Sequence, residues 1–260
     1  MENKNNLSIL VLSCDKYSDL WSPFFACFFK SWVDCEYPVY LGANKQSFGD
    51  SRVRTILSGE DRDWSSSVRK IIEQIDSEYI LILLEDLFLV KNVDAAKFRE
   101  CFSVLLKNNF QHCHIDQRPK PESIIEQGIG VYVKGMPYRV NVLGLWKKSY
   151  LLGLLLDGES PWNFEIMGSY RSSYIDGFFC LPAGMFEVIN TVEKGKWFSD
   201  KLKIAQKMGL EIDTSKRGAL GGFSRVKSAL QIAIVKLIVL VPWRMRVKIM
   251  AVLRRLFFSY

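Results

Sequence analysis

The first apolar pattern in the chain is Leu7–Leu12, six positions broken only by Ser8. A continuous apolar run of this length suits a strand covered on both faces of a parallel sheet. A polar loop, Ser13 to Asp19, follows at once, and Pro23 to Trp32 carries the broad apolar face of a helix. Tyr37 to Leu41 reads as a second strand. Trp64, Val68, Ile71, Ile72 and Ile75 recur at helical spacing and predict an amphipathic helix over 64–75, capped by Asp63 or Ser65. Tyr79 to Leu84 (YILILL) is the most hydrophobic strand pattern and stops abruptly at Glu85-Asp86. Phe98, Cys101, Phe102 and Leu105 mark a further helix. Beyond it the pattern predicts strands at His112 to Asp116 and Gly130 to Lys134, and a strand or loop at Tyr138 to Leu145. Helices follow around Lys147 to Leu156 and at Pro161 to Tyr170, the latter with proline in its first turn. A late strand, Met185 to Val192, and a late helix, Lys196 to Met208, complete the pattern. The alternation in the first half predicts an open α/β sheet, in which ligands bind at the carboxyl ends of the strands.

Charge changes this picture at one end only. The 260 residues carry a net charge of +7, but no Asp or Glu follows Asp213, whereas ten Lys or Arg residues do. Removing those ten leaves 25 basic against 28 acidic residues, a net of −3 for the first 213. The basic character belongs to the tail, so a nucleic-acid partner is not expected. In the tail, Ala229 to Val241 is an apolar run of 13 residues stopped by Pro242, short of the roughly 20 needed to span a bilayer. After it, Arg244, Lys248 and Arg255 share one helical face and Met245, Ile249, Val252, Leu253 and Leu256 another, with Trp243, Phe257, Phe258 and Tyr260 as ring anchors. This pattern predicts an interfacial helix that lies on an anionic membrane through residues 226–260. The expected organisation is a body of residues 1–213, divided at about 110 into two halves, and a basic amphipathic tail of residues 214–260. Composition, with 48% hydrophobic and 24% charged residues, excludes a disordered or collagen-like chain. Six cysteines without a CxxC pair, and a polar N-terminus, lead us to expect reduced thiols in a cytoplasmic protein, peripheral on the inner face of the cell membrane.

Candidate chemistry gathers after the first and the central strands. Glu85 and Asp86 are adjacent acids at the end of a buried strand, hard oxygen donors suited to Mg²⁺ or Mn²⁺ bridging the phosphates of a nucleotide. Ser13, Asp15 and Tyr17 lie in the loop after the first strand, and Arg69 on the helix before the central strand is placed to reach a phosphate. Trp146 and Trp162 are candidates to stack on a sugar ring. His112 and His114 alternate along a strand without a third ligand nearby, so a zinc site is not expected. There is no GxSxG, P-loop, GxGxxG or HExxH pattern.

The order strand, SCDKY loop, helix, strand, a helix containing DWSSSVRK, then YILILLEDLFL resembles the nucleotide-sugar half of GT-A-fold glycosyltransferases of bacterial surface polysaccharide biosynthesis. The segments NVLGLWKKSYL (141–151) and PWNFE (161–165) are similar to their acceptor side. The resemblance implies a Rossmann-like, mixed but mainly parallel sheet flanked by helices. It also implies a nucleotide-sugar donor and a glycan or lipid-linked acceptor. In that family an acidic motif ends the central strand and holds a divalent metal with the donor diphosphate. Glu85-Asp86-Leu87 occupies the matching place, and the leucine standing where an acid is usual leaves room for a metal-independent variant. The helix acid Glu165 matches the general base of inverting members, with Asp157, Glu159 and Asp176 as reserves.

Two other classes compete with this reading. One is a non-catalytic sugar- or lipid-binding subunit on a degenerate transferase fold, favoured by Leu87. The other is a nucleotidyltransferase, disfavoured because SCDKYSD lacks a glycine- and basic-rich loop. The tail reading is tested by truncation after Arg217. The shortened chain should stay folded and lose binding to anionic vesicles, and the full chain should lose that binding as salt rises. An unfolded truncation product, with a full chain indifferent to such vesicles, would make the tail a core or oligomer element.

Overall fold

The computed structural model describes residues 6–193 and 195–218, with 241, 242, 244, 245 and 248. The predicted tail helix therefore lies almost wholly outside the described residues. Among the described residues no helix is long and apolar enough to cross a membrane. The elements run β1 (Leu7–Leu12), a 3₁₀ turn (Asp15–Leu20), α1 (Trp21–Ser31), β2 (Val39–Ala43), β3 (Val53–Leu57), α2 (Trp64–Glu73), β4 (Tyr79–Leu84), β5 (Leu87–Leu89) and α3 (Ala95–Lys107). Then come β6 (His112–His114), β7 (Ser123–Ile124), a second 3₁₀ turn (Glu126–Gly128), β8 (Gly130–Val131), β9 (Gly144–Lys147), α4 (Lys148–Leu154), α5 (Pro161–Arg171) and β10 (Phe178–Cys180). β11 (Val188–Asn190), β12 (Val192–Glu193), β13 (Lys196–Trp197) and α6 (Ser199–Lys207) follow.

Nine strands form one sheet in the order β3-β2-β1-β4-β9-β6-β10-β8-β7. The pairings reverse only β9 and β8, so the other seven strands run in one direction. The result is a mixed, mainly parallel, GT-A-like sheet flanked by helices, as the sequence pattern and the resemblance lead one to expect. It is continuous across both halves of the body.

The apolar runs of β1 and β4 have a direct cause. These two strands pair over their whole length, Leu7 against Tyr79 through Leu12 against Leu84, and helices cover both faces. Ile9, Val11, Leu81 and Leu83 pack with α1 and α3 on one side. Leu10, Leu12, Ile80 and Ile82 pack with α2, α4 and α5 on the other. The one polar interruption, Ser8, is buried and hydrogen-bonded to the buried Ser77 hydroxyl, so it leaves no unpaired group. Asp63 caps α2 by accepting the Ser66 N–H at 2.9 Å.

Some boundaries differ from the pattern. β3 carries exposed positions at Arg54 and Leu57 on the sheet's edge, which hides it from an apolar-run search. The predicted late strand is split into β11 and β12. The late helix starts at Ser199 because Lys196 and Trp197 pair with β12 first.

Gly144 is where β9 meets β4, opposite Ile82. Its φ is +147°, and a Cβ there would lie 2.5 Å from the Cys113 carbonyl oxygen. Backbone cannot yield as a side chain does, so Gly144→Ala should destabilise the fold by about 3 kcal/mol or more. Urea unfolding checks this, and a loss below 1 kcal/mol would show that the strand contact is looser than described.

Candidate active site

β4 ends at the carboxyl edge of the sheet, and the chain turns there through Glu85 and Asp86 into β5. Glu85 is only 7% exposed. Burial, and then the neighbouring Asp86 carboxylate, push its carboxyl up to about 8, against smaller downward pulls that include Arg217 and the Ser13 hydroxyl. Burial pushes Asp86 up to about 6, with Arg217 again opposing. The Asp86 carbonyl is fixed by the Thr191 N–H at 2.8 Å and the Thr191 hydroxyl at 2.9 Å, which holds the turn rigidly. Two adjacent carboxyls with raised pKa values are a site short of positive charge.

The loop after β1 forms the neighbouring wall. Ser13 stays close to the pair: its N–H donates to Gly42, its hydroxyl accepts the Trp21 indole N–H at 2.7 Å, and it acts on Glu85. Tyr17 senses Glu85 and Asp86 electrostatically. Asp15 is used differently. Its carboxylate accepts backbone N–H groups of Asn44, Lys45 and Gln46 at 3.1–3.2 Å, and its own N–H donates to the Asn44 side chain. It therefore ties the loop after β1 to the loop after β2.

Arg217 is the residue that sequence reasoning missed. Charge grouped it with the tail, yet its guanidinium is built into the body. Nε and Nη2 each donate to Asp19 at 2.7 Å, with both side chains nearly buried at 7% and 6% exposure. Nη2 also donates to the Lys16 carbonyl at 2.8 Å, and the cation lies 4.4 Å from the centroid of the Tyr17 ring. From there it acts on both Glu85 and Asp86. No local pattern marks an arginine whose partner is 198 residues away.

Glu165 sits on α5, whose start is fixed by Pro161 and by the Ser160 hydroxyl accepting the Asn163 N–H. Its Oε1 accepts the Val142 N–H at 3.2 Å. β9 runs antiparallel to β4 with Gly144 opposite Ile82, so the segment before Gly144, which includes Val142, enters the sheet at the edge where β4 ends. Glu165 is thereby held at the same edge of the sheet as the acidic pair. Burial pushes its carboxyl up to about 7, with the Val142 hydrogen bond pulling the other way, and no cation pairs with it among the described residues. The reserve acids are committed. Glu159 forms a bidentate pair with Arg171, Asp176 lies 2.9 Å from Lys134, and Asp157 lies 3.7 Å from Arg69.

Two expectations need correction. Trp146 is fully buried, stacked at 3.9 Å on His112, with its indole N–H on the Val142 carbonyl, so it cannot meet a sugar. Arg69 donates to the carbonyls of Leu152 and Leu155 at the end of α4, so its guanidinium clamps two helices and is not aimed at a phosphate. Trp162 is 72% exposed and open to a ligand. His112 and His114 are core residues kept neutral by burial.

As to a cation, no group of three or more metal-ligating side chains meets among the described residues. Glu85 and Asp86 nevertheless fit one: they supply hard oxygens, are adjacent in the chain, and the cation that acts on them, Arg217, is itself paired with Asp19. Phosphate oxygens of a ligand would complete such a shell.

No family model and no curated protein matches the chain. Among solved structures it is similar to S. aureus TarS, with a TM-score of 0.48, 10% identity, and 81% of this chain covered. This chain spans 41% of that TarS chain. It is also similar to S. aureus TarS 1–349 in complex with UDP, with a TM-score of 0.48, 11% identity, and 81% and 67% of the two chains covered. A cytidylyltransferase from Leptospira borgpetersenii gives a TM-score of 0.45 at 13% identity, covering 78% of this chain and 95% of its own.

The buried acid sets a pH dependence. Below about 4.5 Glu85 is protonated in both folded and unfolded chains. Between there and about 8 the folded state keeps a proton that the unfolded state has lost, so stability falls as pH rises through that window. Glu85→Gln removes this penalty. Relative to wild type the variant should gain roughly 2–4 kcal/mol between pH 5 and pH 8, read from unfolding midpoints. A difference independent of pH would mean that Glu85 ionises normally.

Proposed function

We propose that the protein is a glycosyltransferase that moves one sugar from a nucleotide-activated donor to a glycan or lipid-linked acceptor, in the assembly of a bacterial surface polysaccharide. The observation that carries this reading is the pairing of two different acid sites at one sheet edge. One is the electropositive-seeking pair Glu85 and Asp86, and the other is Glu165, a lone carboxylate with a pKa near neutral.

The roles follow from the surroundings. Ser13, Tyr17 and Arg217 border the donor side, with Asp15 fixing the loop that carries them. Mg²⁺ or Mn²⁺, when bound, would be held by Glu85 and Asp86 and would neutralise the donor diphosphate. Arg217 supplies positive charge from the protein itself, which suits it to stabilise the leaving group. Glu165 accepts the proton of the attacking acceptor hydroxyl. That oxygen bonds to the anomeric carbon as the carbon–oxygen bond to the diphosphate breaks, its electron pair leaving with the nucleotide. A base with a pKa near 7 is half ionised at neutral pH, where a general base works best. One displacement of this kind inverts the anomeric configuration.

Glu165→Gln should keep nucleotide binding and lower turnover by roughly two to four orders of magnitude. Full turnover in that variant would remove Glu165 from the mechanism, and absence of transfer by the wild type with any nucleotide sugar would favour a binding subunit. Arg217→Ala should weaken nucleoside diphosphate affinity by roughly ten- to a hundredfold, measured by calorimetry, because a charge-assisted contact is lost. Unchanged affinity would confine Arg217 to its pair with Asp19.

A further inference from the structure

Tyr138 has a backbone that an aromatic residue rarely adopts. Its φ is +55°, in the left-handed region, which is strained for a bulky residue. Such strain persists only where the surroundings enforce it, and here they do. Arg139, the next residue, has no exposed surface. Its guanidinium donates to the Val133 and Ile175 carbonyls and lies 3.6 Å from the centroid of the Phe178 ring. The Gly135 N–H reaches the Ser173 carbonyl at 3.0 Å, closing the loop against the end of α5. Just beyond Tyr138, Val140 donates to the Ser169 hydroxyl and Val142 to Glu165, so residues 140–142 run along α5.

This frame leaves the Tyr138 side chain 39% exposed, close enough to Glu165 to feel its charge. Trp162 lies three residues before Glu165 on α5, a spacing that puts both on one helix face, and it is 72% exposed. Two open aromatic rings, one on the helix that carries Glu165 and one on the strained, buttressed loop that leads to its partner Val142, thus belong to the segments that hold Glu165. Carbohydrate rings present apolar faces of axial C–H groups that pack on aromatic rings, while their hydroxyls seek carboxylates.

Resting on the glycosyl-transfer reading above, we infer that Tyr138 is an acceptor-binding residue: its ring is the platform for a hexopyranose acceptor, whose attacking hydroxyl then faces Glu165. The strain at Tyr138 keeps the ring in place without help from the ligand. Trp146, which the sequence offered for this role, is occupied by His112, and Tyr138 stands in its stead.

The test uses methyl hexopyranosides (glucoside, galactoside and N-acetylglucosaminide) as probes, with binding followed by ligand-observed NMR at millimolar concentrations. UDP and CDP binding by calorimetry serves as the control for the donor site. Tyr138→Gly and Tyr138→Asn both suit a positive φ, so both should fold with a Tm at or above that of wild type. Both should lose pyranoside binding at least tenfold and keep nucleotide binding. Tyr138→Phe, which retains the ring, should bind within about twofold of wild type. Equal pyranoside binding by Tyr138→Gly and wild type overturns the inference, as does a wild type that binds nucleotide but no pyranoside. A wild type that binds neither nucleotide overturns the glycosyl-transfer reading itself. If both the Gly and Asn variants unfold, the ring is a packing element and the inference is likewise wrong.

Discussion

Holding two adjacent carboxyl groups at the end of the central strand, Glu85 buried and Asp86 half-buried, is the constraint around which this molecule is arranged. An isolated buried charge is costly, and two like charges side by side are more so. The fold answers in two ways. It pushes the Glu85 carboxyl up to about 8, and it brings the guanidinium of Arg217, anchored on Asp19 198 residues away, to act on the pair. On the proposed function, the charge that these two answers leave is met by a cation or a cation-carrying ligand. A purely structural position would be more stable with apolar side chains.

The rest of the sheet positions partners for this pair. β1 lies parallel beside β4 in full register, so the Ser13–Tyr17 loop leaves the sheet where Glu85 does. β9 lies antiparallel on the other side, so the segment before it arrives at the same edge and delivers Val142 to Glu165. The loop before α5 is strapped to the start of α2, where Gly158 donates to Asp63 and Glu159 to the Ser65 hydroxyl. The Asp63 carboxylate is held well below the usual range by hydrogen bonds, chiefly from the Ser66 N–H, with Gly158 contributing, so one side chain caps a helix and anchors the loop before α5. The scaffold thereby fixes three carboxyls in different surroundings, and the proposed function gives them two roles.

Much of this is legible in the sequence where the cause is local. The runs LSILVL and YILILL announce β1 and β4 because both strands are buried on both faces, and the 3.6-residue pattern of Trp64 to Ile72 announces α2. Glu85 and Asp86 stand out because acids at the end of a buried strand need an explanation, whereas Glu165 is reached only through the resemblance. What the sequence conceals is set by distant contacts. Arg69 looks free until the carbonyls of α4 come to meet it. Trp146 looks like a sugar platform until β6 brings His112 against it. Asp15 looks like a ligand contact until the loop after β2 folds onto its carboxylate. Tyr138 carries no signal at all, since a positive φ on an aromatic residue is imposed by the buried Arg139 beside it.

The most direct measurement of the central claim is the count of protons exchanged when a nucleoside diphosphate and Mg²⁺ bind at pH 7, by calorimetry in buffers of differing ionisation enthalpy. A cation meeting two carboxyls with raised pKa values must displace protons from them. The account predicts net proton release in the wild type and its loss in Glu85→Gln. Binding with no proton exchange in the wild type, or with the same exchange in the variant, would contradict it and place the nucleotide away from the acidic pair.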